Sequence, residues 1–406
     1  MTEWKKYRLK DIASLSNGIN FDKSAYSSGI KLIGVADFKN RMFPDYSSLQ
    51  EVDPKVVRDS DLLEYGDIVF VRSNGNKELV GRCMMVDKTI PITFSGFCIR
   101  LRVNDKEQFD PVFLNYLFKS KHFRRIMSGT AVGANIQNLS QSRLGDCEVA
   151  IPDIATQQRI AEVLSRYDSL IENYQRQIKL LEEAAQRLYK EWFVDLRFPG
   201  HESTPIINNL PEGWEKIRIT DCDLFRFAKC RIEPFVGVLS YYATADVDGT
   251  YFVNAGTPIE YESKPSRAQI QPSKNSVWFA RMSNSYKIIP FGRNNEHRRI
   301  NSILSSGFAG FDGPYEVFSY LYCLISSKWF NDQKDSFATG ATQVSLTNEG
   351  LSKIKFISPK REIVFEFSKR ANALIEQILL LREKSVLVSE ARDRLLPKLM
   401  NGEIEV

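Results

Sequence analysis

Histidine is nearly absent from this sequence, with three in 406 residues, and the six cysteines never approach a CxxC spacing. That scarcity argues against a zinc site of the usual Cys/His kind, and the thiols read as reduced and mostly buried. No run of 18 apolar residues occurs, so no membrane-spanning helix is expected. The stretch Met1-Thr2-Glu3-Trp4-Lys5-Lys6 holds no apolar signal region, which predicts a cytoplasmic protein. A phosphate loop of the form Gly-x-x-x-x-Gly-Lys-Ser/Thr is missing, as is Gly-x-Gly-x-x-Gly after a predicted strand. Neither Asn-Pro-Pro nor Asp-Pro-Pro is present, and no Ser/His/Asp or Cys/His set stands out. Together these absences remove nucleotide hydrolysis, dinucleotide binding and the usual means of holding a target amino group. No catalytic residue, metal or cofactor is expected on the chain, which does not read as an enzyme.

Charge of either sign is also in short surplus: the net charge is only +5. Residues 1–150 hold 22 basic against 18 acidic side chains, and residues 201–357 hold 17 against 16. A polyanion would have to be met by local basic patches and not by an overall field.

What the chain does have is a repeat. Pro152 and Pro359 open two charged helical stretches at a spacing of 207, and both stretches carry Glu-Ala-x-x-Arg-Leu, at Glu183–Leu188 and at Glu390–Leu395. The globular parts repeat more loosely, at spacings of 209 to 211. Trp4 answers to Trp214, Ala36-Asp37 to Ala245-Asp246, Arg72 to Arg281, and Ser95-Gly96-Phe97 to Ser306-Gly307-Phe308. The predicted fold is α+β: two α/β globes (1–150 and 201–357) alternating with two helical segments (151–200 and 358–406). Such a duplication can set two similar surfaces about a pseudo-twofold axis. Duplex DNA is a ligand with that symmetry.

The first helical segment keeps a 4-3 apolar alternation through Ile160, Leu164, Tyr167, Ile171, Tyr174, Ile178, Leu181, Ala185, Leu188 and Trp192. A 3.5-residue period keeps one stripe facing one partner helix. A helix over 156–193 would be about 57 Å long at 1.5 Å per residue. The second segment repeats the pattern through Phe367, Ala371, Leu374, Ile378, Leu381, Val388, Leu395 and Leu399, interrupted at Ser385 and Arg392. The two helices are expected to pair as an antiparallel coiled coil, the alternative being that each folds back on its own globe.

Each globe has a strand-like run, Asp67–Val71 or Ser276–Ala280, that ends in a polar loop. Arg72, Ser73, Asn74 and Asn76 in the first loop, and Arg281, Ser283, Asn284 and Tyr286 in the second, are candidate base readers. Arg pairs bidentately with guanine and Asn with adenine. An ordinary polar turn is the alternative. Candidate phosphate contacts are Lys77, Lys119, Lys121, Arg124 and Arg125 in the first globe, and Lys287, Arg293, Arg298 and Arg299 in the second. The small-residue stretches Gly129–Asn135 and Thr339–Ser345 read either as plain loops or as points of close backbone approach.

At this point the chain resembles the specificity subunits of type I restriction–modification systems. The resemblance covers its whole length and is carried most strongly by Ile151-Pro-Asp-Ile-Ala-Thr-Gln-Gln-Arg-Ile-Ala161 and by Tyr65-Gly-Asp-Ile-Val-Phe-Val-Arg72. The second half departs from both: Lys360-Arg361-Glu362 follows Pro359 with no matching glutamine, and Lys274-Asn275-Ser276 replaces Tyr-Gly-Asp. The resemblance implies two target recognition domains reading a bipartite site in double-stranded DNA, with a spacer set by the helices. It also implies two modification subunits that bind S-adenosylmethionine and methylate adenine, and two restriction subunits that use ATP and Mg. A specificity subunit of a combined restriction–modification enzyme of another type is the nearest alternative, and an unrecognised nuclease is the alternative from another class.

Overall fold

The computed structural model describes residues 4–38, 41–73, 80–129, 138–228, 231–340 and 344–406. Two helices dominate it, α1 (Ile154–Tyr189), followed by a π-turn over Lys190–Val194, and α2 (Arg361–Met400). The chain divides into two compact units, one of Met1–Ile171 with Val388–Val406, the other of Glu172–Leu387, so each long helix contributes to both. No helix is long and apolar enough to cross a membrane among the described residues.

The first unit is built around β1 (Ile68–Val71), whose residues are β-branched or aromatic and all buried. Alternate side chains point to opposite faces of a strand. Ile68 and Phe70 accordingly enter the core shared with the helices, and Val69 and Val71 enter a second core. β1 pairs with β2 (Cys98–Val103) and with Cys83–Met85 in an antiparallel sheet of four strands, with Ala13–Asn17 at its other edge. A separate three-stranded sheet contains the parallel pair Tyr26–Ile33 and Ile92–Phe94.

The second unit repeats this plan. Along β3 (Ser276–Ala280), Val277 and Phe279 face one core, and Trp278 and Ala280 face another. β3 pairs with β4 (Phe308–Asp312) and Ile288–Phe291, and the second sheet again contains one parallel pair, Leu239–Tyr242 with Ser302–Ser305. The missing glycine before β3 has a conformational answer. Gly66 has φ +91° and Asn275, at the same point of the repeat, has φ +49°. Asparagine is one of the few other residues that adopts the left-handed region without much strain.

α1 starts where the sequence punctuates it. Asp153 accepts hydrogen bonds from the Thr156 amide and hydroxyl, both at 2.9 Å, and these hold its carboxyl below the usual carboxylate range. Gln157 is buried: it accepts from the Asp110 amide and donates to the carbonyls of Gln108 and Pro152, which fixes the helix start to the first globe. In the second half the corresponding position is Val364, buried in an apolar core, so the missing glutamine is replaced by packing.

The two helices pair in antiparallel fashion. Within the second unit Phe193 and Trp192 of the π-turn and Tyr189 at the end of α1 pack on Phe367 of α2, at ring centroid distances of 5.1, 5.7 and 6.3 Å. Glu182, earlier in α1, meets Arg382, later in α2, at 2.5 Å. Within the first unit Ile160, Ala161 and Leu164 share a core with Leu399 and Met400. Of the expected seam, Ile160, Leu164, Ile171, Ile178, Ile378 and Leu381 are buried, and Tyr167, Tyr174, Leu181, Leu188, Leu374, Val388 and Leu395 are half-buried. The expected interruptions are the correction. Ser385 is buried, and Arg392 pairs with the buried Asp168, which also accepts from the hydroxyl of Tyr116. Arg392, like the buried Arg382, faces an acid of α1.

Removing one partner of a buried ion pair leaves an uncompensated charge, at a cost of about 3–5 kcal/mol, whereas an apolar pair of similar volume can be neutral. Arg392→Met should therefore lower the urea midpoint of the full chain strongly, and the double variant Asp168→Leu with Arg392→Met should recover most of the loss. Equal losses in the single and double variants would show that the pair does not organise this unit.

Candidate nucleic-acid interface

The loops that follow β1 and β3 are fixed by the main chain in the same way in both units. The amides of Arg72 and Ser73 donate to the Phe97 carbonyl at 2.8 and 3.3 Å, and the Leu139 amide donates to the Arg72 carbonyl at 2.7 Å. In the second unit the Arg281 amide donates to the Gly307 carbonyl at 2.9 Å, and the Leu346 amide donates to the Arg281 carbonyl at 2.8 Å. Each loop is next bridged to the segment before the following short helix, Ser73 to Asn138 and Met282 to Ser345. The Ser283 amide adds a bond to the Val344 carbonyl at 2.9 Å. In the second unit, then, the end of the Thr339–Ser345 stretch makes a close backbone approach to the loop. Its counterpart over 130–135 lies outside the described residues, as do Asn74, Asn76 and Lys77.

The pairing also corrects one alignment made from the sequence. Val71 lies opposite Cys98 and Ala280 opposite Phe308. The Phe97 amide donates to Ser95 Oγ, and the Gly307 amide donates to Ser305 Oγ. The structural counterpart of Ser95-Gly96-Phe97 is thus Ser305-Ser306-Gly307, one residue from the match of identical letters. Phe308 is in the core, and Phe97 is 63% exposed.

The two arginines at the same point of the repeat are used differently. Arg72 is half-buried and, among the described residues, its guanidinium makes a single long hydrogen bond, Nη1 to the Gly96 carbonyl at 3.4 Å. Arg281 donates three times inside its own unit, to the carbonyls of Phe308 and Leu346 and to Asn348 Oδ1, over the ring of Phe227. Most of its directional capacity holds the loop together, which counts against base readout by Arg281. Ser283 is half-buried, and Asn284 is exposed with φ +55°, its amide donating to Asp335 Oδ1. Tyr286 is exposed, with its hydroxyl donating to the Ser326 carbonyl at 3.2 Å.

Several basic residues expected on phosphates are turned inward. Lys119 donates from Nζ to the carbonyls of Arg41 and Cys83 at 2.7 and 2.9 Å, and burial holds its pKa below the usual ammonium value. Lys287 donates to the Thr244 carbonyl at 2.6 Å. Arg298 pairs with Glu383 through Nε and Nη2 at 2.5 and 3.0 Å, and Arg299 pairs with Glu296 at 2.8 Å through both nitrogens. Glu376 accepts the amides of Arg293 and Asn294, so this basic segment docks its globe on α2. A cluster of like charge in sequence does not reveal that acids from a distant helix face it. Lys121, Arg125 and Arg293 stay exposed, Arg293 over the Tyr315 ring, and the half-buried Arg124 donates to the Val80 carbonyl.

With this geometry in place, comparison with known proteins is informative. A family model described as the type I restriction modification DNA specificity domain matches residues 1–183. The sequence is 27% identical over 315 residues to the MjaIX specificity subunit of a type I restriction enzyme from Methanocaldococcus jannaschii, covering 72% of this chain and 69% of that one. It is 22% identical over 421 residues to a putative type I restriction enzyme specificity subunit, MjaX, from the same organism, covering 100% and 94%. The crystal structure of the type I restriction–modification S subunit from M. genitalium is similar with a TM-score of 0.57 at 16% identity, over 98% of this chain and 96% of that one. That last likeness is one of fold.

The unequal use of the two arginines predicts unequal effects on folding. Arg281→Ala removes three internal hydrogen bonds and leaves two carbonyls short of a donor, so it should cost about 1–3 kcal/mol. Arg72→Ala should leave the unfolding free energy from urea titration within about 0.5 kcal/mol of the parent, as surface changes usually do. Equal destabilisation by both would show that the two loops are anchored alike.

Proposed function

The chain belongs to the specificity subunits of type I restriction–modification systems, and from that premise we propose that each of its units reads one half of a bipartite site in duplex DNA. The observation that carries this reading is the doubled loop. Two copies of one two-sheet scaffold present an arginine and a serine just beyond the same central strand, each arginine held by main-chain bonds of the same pattern. Arginine, serine and asparagine are residues that read base edges, and exposed lysine and arginine nearby supply phosphate contacts. In the first unit the base-reading role falls to Arg72 and Ser73, with Lys121, Arg124 and Arg125 toward phosphates. In the second it falls to Ser283, Asn284 and Tyr286, with Arg293 toward phosphates.

The long helices contribute to both units, and their length is taken to set the spacer between half-sites. Chemistry is assigned to partners. Two modification subunits would bind S-adenosylmethionine and methylate adenine, and two restriction subunits would use ATP and Mg. A cytoplasmic location suits that role.

The test is to co-express the chain with its methyltransferase partner and map methylated adenines across the genome. A motif of two short blocks separated by a fixed unspecified spacer is expected, and the purified chain alone should bind duplex weakly and with a steep salt dependence. A continuous motif, or methylation that does not depend on this chain, would overturn the reading.

A further inference from the structure

Phe97 is the only phenylalanine with an exposed side chain among the described residues, and its backbone is among the most firmly held parts of the first unit. Its carbonyl takes the amides of both Arg72 and Ser73, and its amide donates to Ser95 Oγ at 3.4 Å. The preceding Gly96 donates to the Ile19 carbonyl at 2.7 Å. Two glycines make this turn possible. A Cβ on Gly18 would sit 2.3 Å from the carbonyl oxygens of Phe94 and Ser95, and one on Gly96 would sit 2.0 Å from Asn20 Oδ1. The turn is thus tightly built, and what it carries is a ring standing in water.

The fold does not require that ring. At the same position of the second unit stands Gly307, whose carbonyl receives the Arg281 amide as the Phe97 carbonyl receives that of Arg72. The backbone task is done there with no side chain at all. The space a Cβ on Gly307 would enter is bounded instead by Thr244 Cγ2 at 2.9 Å and by Arg267 Nη2 at 3.1 Å. One spot in the scaffold therefore carries an aromatic ring in one unit and an exposed guanidinium in the other.

We propose that Phe97 is a specificity-determining residue of the first unit, making an apolar contact with base edges of its half-site, while the second unit presents Arg267 at the equivalent place. The inference rests on the DNA-reading role proposed above. Its ligand chemistry follows from the neighbours. Arg72, at the end of β1, is bonded to the turn that carries the ring through its amide to the Phe97 carbonyl and through Nη1 to the Gly96 carbonyl, so a cation and an apolar surface lie at one place. Apolar side chains discriminate bases by contact with the thymine methyl group, and such contacts add no phosphate neutralisation. Rigid presentation of an aromatic lowers the ordering cost of the contact.

The experiment uses the complex of the full chain with its methyltransferase partner, with Phe97→Ala beside the parent. Binding is measured on a duplex carrying the parent's mapped motif and on a random-sequence duplex, across a salt series. One position of one half-site should become degenerate in the methylation map, and affinity for the motif duplex should fall about tenfold, the size of a lost base contact. The salt slope and the affinity for random duplex should stay as they were, since no counterion-releasing contact is lost. The urea midpoint should also be unchanged. An unchanged motif and affinity, a lowered salt slope, or a loss of stability without a change of motif would each overturn the proposal. Failure of the parent itself to give a two-block motif would instead overturn the reading of the previous section.

Discussion

Two carboxylate–guanidinium pairs inside the helix seam organise the molecule. Asp168 meets Arg392 in the first unit and Glu182 meets Arg382 in the second. Both acids belong to α1, two heptads apart, and both arginines belong to α2. A charge buried in an apolar seam is tolerated only opposite its partner, so each pair rejects registers in which it would be stranded. The repeat itself makes such a device useful. Helices of similar sequence could pair in more than one way, and placing acids on one and arginines on the other distinguishes them. Each pair also reaches a globe, because Tyr116 donates to Asp168, and Tyr322 and Thr250 donate to Glu182. Helix register and globe attachment are therefore one constraint in each unit.

The helices, the twofold repeat and the central strands were legible because they follow from period and spacing alone. The 3.5-residue stripe gave both helices, and the runs before Arg72 and Arg281 gave β1 and β3. What failed to show were contacts between residues far apart in sequence. Arg298 read as a phosphate contact because Glu383 lies 85 residues from it, and Lys119 because Arg41 lies 78 residues away, whereas Arg299 pairs with Glu296 only three residues before it. The interruption at Arg392 looked like a weakness because nothing local reveals an acid on the opposite helix. Phe97 was hidden by its own letter: matching Ser-Gly-Phe to Ser-Gly-Phe paired an exposed ring with the buried Phe308. Only the strand register separates them.

The two-core construction explains how the candidate readers can be steady without being uniform. β1 and β3 are each buried on both faces, serving as a wall shared by an inner and an outer core. Their ends are held from both faces, and Arg72, Ser73 and Arg281 are tied to those ends by main-chain bonds. Sites built on such elements keep geometry more closely than sites on free loops.

Attachment through the main chain has a further consequence in the first unit, for how the protein can change over generations. Amides and carbonyls are common to every residue but proline, so the bonds that hold the Arg72 loop survive nearly any replacement of its side chains. A lineage could explore new sequence preferences there without first losing the folded state. The second unit is less free, because the guanidinium of Arg281 is itself one of the fastenings and its replacement costs structure before it alters recognition. The two units thus differ in how readily the side chain at this point of the repeat can be replaced.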